Sequence, residues 1–447
     1  MRILWVCNFM LPAIAKALGM GHTNKEGWVA GLASVIQERK KENGIQLAMA
    51  FPVQKEMDGC QGEVEVQGEK LYYYGFYEDT VHPEQYDAGL EKRLSEIFTA
   101  YDPEVIHCFG TEFPHTLAAT KACPDKQKLL IGIQGLCSVY SEAFMANLPL
   151  KVINSVTFRD WLKRDSLIKQ REKFEVRGMY EIEAICHAGN ITGRTHWDRH
   201  YSKKWSPKAE YYHMNETLRP VFYTDQWDRE KCVPHQIFLS QGDYPIKGLH
   251  YMLLALGKIL KKYPDTKIRV AGNSIVKDET WKDKIKISAY GKYLQELLQE
   301  HGLKDKVMFL GSLTAEQMKA EYLAAELFVC CSSIENSPNS LGEAMILGVP
   351  CVAAEVGGIN SLFRNEVDGI LYQGFCARRP YDYQMESMFL EKISQNLADA
   401  VLKMWADPEK SVEYGLNARA HARATHDREA NYHRMLEIYT SIAGKNK

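Results

Sequence analysis

The chain has 447 residues, 45% hydrophobic and 11% aromatic, with a net charge of -2. That is more apolar material than one core holds and predicts two domains, and the balanced charge excludes a nucleic-acid binder, which needs a basic face. Eleven cysteines without a Cys-x-x-Cys pair indicate buried thiols in a reducing compartment and exclude a disulfide framework or a zinc site.

In chain order, residues 1–15 carry a single cation, Arg2, an apolar run and Ala13 and Ala15, which imitates a secretory signal. The run is read instead as the first buried strand of an α/β domain, because the thiol usage argues against export. No apolar run reaches the roughly 18 residues that span a bilayer, so a cytoplasmic location is expected. Further strands are predicted at 45–51, 105–108, 129–133 and 190–192, with helices following from Trp28, Leu90, His115 and Phe174.

Gly19, Gly21 and Gly27 follow the first strand. They do not make a dinucleotide fingerprint, since Asn24 stands at the third glycine position; a flexible turn and a ligand-approaching loop both remain open. His107 ends a strand, where packing or capping is a commoner role than catalysis. Residues 151–177 interleave cations with Trp161, Leu162, Leu167, Ile168 and Phe174. They read either as a solvated helix face or as a peripheral contact with the inner face of an anionic membrane. Arg194 directly follows the strand at 190–192. Its planar fork suits a phosphate or an anionic acceptor, and the alternative is an Arg on a structural carboxylate beside a helix cap made by Thr195 or Asp198.

The join between domains is expected at 206–234, where Pro207, Pro220 and Pro234 and clustered aromatics interrupt the periodicity. A second series of strands follows at 235–240, 267–271, 307–310, 327–331, 352–354 and 370–372, with helices at 249–262 and 340–347. The strand–helix alternation predicts parallel sheets wrapped by helices in two similar α/β halves. Lys247 and Gly248 lie on the loop after the first of these strands, the carboxyl edge where open α/β sheets bind ligands, although an isolated loop lysine is also commonly solvated. Two more helical patterns follow Pro408.

The densest signal is at 327–350. Glu335 follows an apolar strand, and Glu343 comes eight residues later in what reads as the first turn of a helix. The turn between them ends in Asn339, Ser340, Leu341 and Gly342. Its amides would point out of a helix N-terminus, where a phosphate is favoured, and the carboxylates can accept from sugar and ribose hydroxyls. Spacing alone also fits a dipole partner plus a solvated acid. The segment resembles the Glu-x7-Glu motif of retaining glycosyltransferases of family 4, continuing into a Gly348-Val349-Pro350 stretch and Gly357-Gly358 that look like the same family.

That resemblance implies a GT-B fold, an α/β architecture of two Rossmann-like domains with parallel sheets facing across a cleft. Residues 1–215 would form the acceptor-side domain, 216–425 the nucleotide-sugar-binding domain, and 426–447 a helix returning to the first. It implies a metal-independent transfer, with retention, from a nucleoside-diphosphate sugar co-substrate to a glycan or lipid-linked acceptor in cell-surface polysaccharide or glycolipid synthesis. No other cofactor is implied. Lys247-Gly248 matches the family's Lys-Gly phosphate clamp, but the clamp's arginine would fall at Gln241 or Gly242, leaving Arg194 as the candidate replacement. Gln134 stands where many members carry a histidine and can still exchange hydrogen bonds with a sugar, and Glu26-Gly27 replaces the usual Gly-Gly pair. Other readings are a glycosidase using paired carboxylates, a GT-B nucleotide-sugar epimerase, and a catalytically silent sugar-nucleotide-binding partner.

Overall fold

The computed structural model describes residues 1–21, 27–277, 280–374 and 383–445. The chain divides into two compact units, one of residues 1–139, 173–219 and 426–447, the other of 140–172 and 220–425. The boundary is therefore not a single cut. Residues 140–172, inside the expected N-terminal domain, pack with the second unit, and 426–447 pack with the first.

The first unit is built on β1 (Arg2–Val6), β2 (Gln46–Val53), β3 (Gln61–Val66), β4 (Glu69–Tyr77), β5 (Val105–Phe109), β6 (Leu129–Gly132), β7 (Asn190–Gly193) and β8 (Glu210–His213). They form one sheet in the order β3-β4-β2-β1-β5-β6-β7-β8, parallel except for the antiparallel β3–β4 pair. Strands β3, β4 and β8 were not expected. β3 alternates exposed and half-buried residues at the sheet edge, so it lacks the continuous apolar run of a fully covered parallel strand. β8 lies within the expected linker 206–234; that stretch also holds the short 3-10 helix Pro220–Tyr223.

The helix Arg428–Gly444 starts on Asp427, whose carboxylate accepts from Ala430 N. Its Tyr432, Met435, Ile438, Tyr439 and Ile442 join the core on one side of the first sheet, with Ile3, Trp5 and Phe51. Within this core Trp5 Nε1 donates to Tyr439 Oη at 2.9 Å, and Tyr439 Oη lies 2.8 Å from His107 Nδ1. Because indole only donates, the tyrosine proton is left for Nδ1, which makes His107 a neutral acceptor there. Burial pushes its pKa down to about 3. His107 is a core residue.

The second unit holds β9 (Val233–Leu239), β10 (Lys267–Val270), β11 (Val307–Phe309), β12 (Ala325–Cys330), β13 (Cys351–Ala354) and β14 (Ile370–Tyr372). All neighbouring pairs are parallel, in the order β11-β10-β9-β12-β13-β14. Counted from its own first strand, this is the doubly wound order 3-2-1-4-5-6, whose direction reverses between β9 and β12, the place where such sheets bind ligands. Buried runs such as Phe328-Val329-Cys330 and Cys351-Val352-Ala353-Ala354 account for why these strands read clearly in the sequence.

Candidate active site

The loops after β9 and β12, on either side of that switch point, are tied together. Ser333 N donates to Ile246 O at 2.7 Å. Gly248 has φ +71°, and a Cβ there would sit 1.9 Å from Cys331 O, so both backbone conformation and close approach require glycine. This seam sets Lys247 Nζ 2.6 Å from Glu335 Oε1, and Ser332 Oγ donates to the same oxygen at 2.8 Å. Burial opposes the ammonium charge, but Glu335 and then Tyr244 outweigh it and hold Lys247 well above the ordinary lysine range. The pair is a fixed cation beside a largely enclosed carboxylate.

The Glu335 backbone is fixed from a third side. Gly358 N donates to Glu335 O at 2.9 Å, and Gly357, at φ +54°, brings its Cα so near that a Cβ would lie 1.9 Å from that oxygen. Asn336 N donates to Tyr140 Oη at 3.2 Å. Burial, followed by Glu335, pushes the Tyr140 hydroxyl well up. Tyr140 and Ser332 are site residues the sequence reading missed. Tyr140 is nearly 200 positions away (|i−j| = 196) and carries no local signal, whereas Ser332 sits three residues before Glu335, where a short hydroxyl beside a strand-end carboxylate is a usable cue.

The helix Asn339–Leu347 begins just beyond. Its N-cap is Pro338, which makes no side-chain cap, in contrast to the helices that begin after Thr157, Thr195, Thr280 and Thr314 with full capping boxes. Its first-turn amides are thus not taken by an N-cap side chain, but, contrary to the expectation for 339–342, Leu341 N and Gly342 N donate within the helix to Pro338 O at 3.0 and 3.3 Å. Asn339 and Ser340 are half-buried, and Leu341 and Gly342 buried. Glu343 is the fifth helical residue, in the second turn and not the first as expected, and is 4% exposed. Gly348 ends the helix at φ +83°, a left-handed C-cap.

Position 242, one of the two places for the expected arginine, has no room for a side chain, since a Cβ would meet Leu249 Cδ2 at 2.8 Å and Val270 Cγ1 at 3.0 Å. Arg194 is committed within the first unit. It is 5% exposed and its guanidinium is ion-paired with Glu216. Its Nη2 donates to Gln134 Oε1 at 3.3 Å, and Gln134 Nε2 donates to Glu216 Oε1 at 2.7 Å. Thr195 and Asp198 form the capping box that follows it. This is the carboxylate-bound alternative, and it fixes which way the Gln134 amide faces. Glu216, in the stretch expected as linker, was not singled out. Gly27 is the first residue of helix Gly27–Glu38; the loop 22–26 before it lies outside the described residues.

Residues 230–378 match the family model of the glycosyl transferases group 1. The full chain superposes on sucrose-phosphate synthase from Thermosynechococcus elongatus with a TM-score of 0.67 at 17% identity, covering 100% of both chains. It superposes on Anabaena Alr3699/HepE in complex with UDP with a TM-score of 0.60 at 15% identity, covering 99% of this chain and 100% of the other. The two parallel-sheet units are thus those of a GT-B protein. The match over 230–378, a third of the chain and all within the second unit, makes that region similar to the glycosyl transferases group 1. The "Uncharacterized glycosyltransferase MJ1607" of Methanocaldococcus jannaschii is 31% identical over 143 residues, 32% of each protein. The chain spans between 29% and 44% of the length of the first curated relatives it matches.

Proposed function

We propose that the protein transfers a sugar from a nucleoside-diphosphate sugar to a glycan or lipid-linked acceptor, with retention and without a metal ion, on the cytoplasmic side of surface polysaccharide or glycolipid assembly. The observation that carries this reading is the Lys247–Glu335 pair at the switch point of the second sheet, directly before helix Asn339–Leu347 and its buried Glu343. In the transfer, Lys247 and the amides of Asn339 and Ser340 at the start of the helix stabilise the departing diphosphate, which is catalysis by preorganised charge. Glu335 orients the sugar and Glu343 accepts from the ribose. Arg194, held by Glu216, acts as a positioning residue for Gln134 and not as a phosphate ligand. A uridine diphosphate sugar is the donor to try first, because Alr3699/HepE, which shares the fold, has been solved with UDP and with UDP-glucose.

The test is release of free nucleoside diphosphate from a panel of sugar nucleotides, with and without EDTA and with lipid and oligosaccharide acceptors. Turnover of one donor that survives EDTA and disappears in Glu335→Ala and Lys247→Ala supports the reading. Binding without turnover of any donor sinks it in favour of a catalytically silent sugar-nucleotide binder. Gln241 and the filled space at Gly242, in place of the family's arginine, are the observations on that side.

A further inference from the structure

The helix Phe158–Lys163 in the second unit is turned inside out. Its buried residue is Asp160, whose carboxylate accepts from Thr157 N at 3.3 Å, from Arg159 Nη1 at 2.9 Å and from Ala289 N at 2.8 Å. Thr157 Oγ1 donates to Ile287 O at 2.8 Å. Polar contacts fasten the helix, and its large apolar side chains are left outside, with Phe158 58%, Trp161 68% and Leu162 65% exposed. The adjoining helix Trp281–Lys286 also leaves large apolar side chains outside, although its acid is not buried. Its first-turn acid, Asp283, is taken up by the capping box on Thr280, while Trp281 is 68% and Ile285 41% exposed. Single exposed apolar residues need no explanation, but two tryptophans, a phenylalanine and two aliphatics on adjoining helices form a patch of the kind that marks an interaction site.

The charge around this patch decides what covers it. Lys163, Arg164 and Lys284 are exposed on the same two helices and their ends, and none forms an ion pair with a carboxylate among the described residues, whereas Lys286 sits near Asp283 and helps hold its pKa down. The acids of the two helices, Asp160 and Asp283, are both occupied as caps. Cations at the rim of an aromatic patch are suited to anionic lipid headgroups, with tryptophan at the interface. A second copy of the chain on a two-fold axis would bring the same unpaired cations face to face.

We infer that the outer face of helices Phe158–Lys163 and Trp281–Lys286 is a docking surface for an anionic lipid bilayer. The surface differs from the one expected over 151–177. Leu167 is buried and Phe174 half-buried, and half of the platform comes from residues more than 100 positions further along the chain. It uses no residue of the Lys247–Glu335 site and goes beyond the proposed transfer reaction, so either reading can fail without the other.

The test is flotation of the full chain with phosphatidylcholine vesicles and with vesicles containing phosphatidylglycerol, at low and high salt, for the wild type, Trp161→Ala/Trp281→Ala and Arg164→Glu/Lys284→Glu. Binding is expected to the anionic vesicles alone, weaker at high salt, and weakened about tenfold or more in each double variant. Thermal unfolding and donor turnover in solution should stay at wild-type levels, since Trp161, Trp281, Arg164 and Lys284 are exposed. Failure to float with anionic vesicles, or equal flotation of both variants, overturns the inference. So does a dimer in sedimentation equilibrium that Trp161→Ala/Trp281→Ala converts to a monomer, because the face then belongs to a second copy.

Discussion

Replacing Lys247 by methionine keeps much of the side-chain volume and removes the cation facing Glu335. The carboxylate is only 10% exposed in its side chain, and the lysine 20%. Breaking a fully buried ion pair costs about 3–5 kcal/mol, because an uncompensated charge is left behind, whereas an exposed pair is worth about 0–1 kcal/mol. With Ser332 Oγ still donating to Glu335 Oε1 and some water reaching the lysine, a loss of about 2–3 kcal/mol is expected. Glu335→Gln should cost a similar amount by stranding the ammonium. The double variant has no charge to strand, so it should be less destabilised than the sum of the singles by about 1–2 kcal/mol. Urea unfolding at neutral pH reads this out, followed by a probe in the second unit, since two domains need not unfold together. The pH dependence has a definite sign. Lys247 has a folded pKa above its unfolded one, so its stabilisation is complete below the unfolded value and is lost only as pH rises through the folded one. Additive single effects, or singles within about 0.5 kcal/mol of wild type, would show that the pair is solvated and refute the argument. Turnover supplies a second readout. Removing one preorganised charge from the leaving group should lower kcat about 10²–10³-fold.

Gly248→Ala should destabilise by more than the roughly 1–2 kcal/mol of a left-handed non-glycine residue, since its Cβ also runs into the Cys331 carbonyl; the shift in urea midpoint and the loss of donor turnover should appear together. Tyr439→Phe leaves both Trp5 Nε1 and His107 Nδ1 buried without their shared partner, a cost of about 2–4 kcal/mol measurable in the unfolding of the first unit. His107, with its pKa lowered from 6.5 to about 3, stays neutral in the folded state while the unfolded chain takes up a proton. Stability should therefore fall as pH drops below 6.5, and His107→Gln should remove about 1.4 kcal/mol per pH unit of that slope between roughly pH 6 and 4. An unchanged slope in the variant would mean that the imidazole is accessible to protons when folded.

The six strands of the second sheet and the Glu335–Glu343 segment were legible because each is written locally. Buried parallel strands are continuous apolar runs, and a strand-turn-helix ligand loop is a short contiguous motif. The partners of Arg194 were not legible in this way. Arg194 could be placed after a strand, but whether it faced a ligand or Glu216 depended on a residue 22 positions away in a stretch without periodicity, and on Gln134, 60 positions away. The inverted helix Phe158–Lys163 is a similar case: the pattern over 151–177 left a solvated face and a membrane contact open, whereas the bonds from Ala289 N to Asp160 and from Thr157 Oγ1 to Ile287 O, partners about 130 positions away, hold the acid inward and leave the aromatics out.

By itself, the sequence determined the alternation of strands and helices and the two-domain architecture, the Lys-Gly loop, and the spacing of the two glutamates, all set by side-chain chemistry within a dozen or so neighbouring residues. Tertiary structure alone decided that 140–172 packs with the second unit, that Tyr439 of the last helix is the partner shared by Trp5 and His107, that Lys247 meets Glu335, and that Arg194 is spoken for by Glu216. Those outcomes depend on which groups from distant parts of the chain satisfy one another's hydrogen bonds and charges once water is excluded, and no local pattern encodes that pairing.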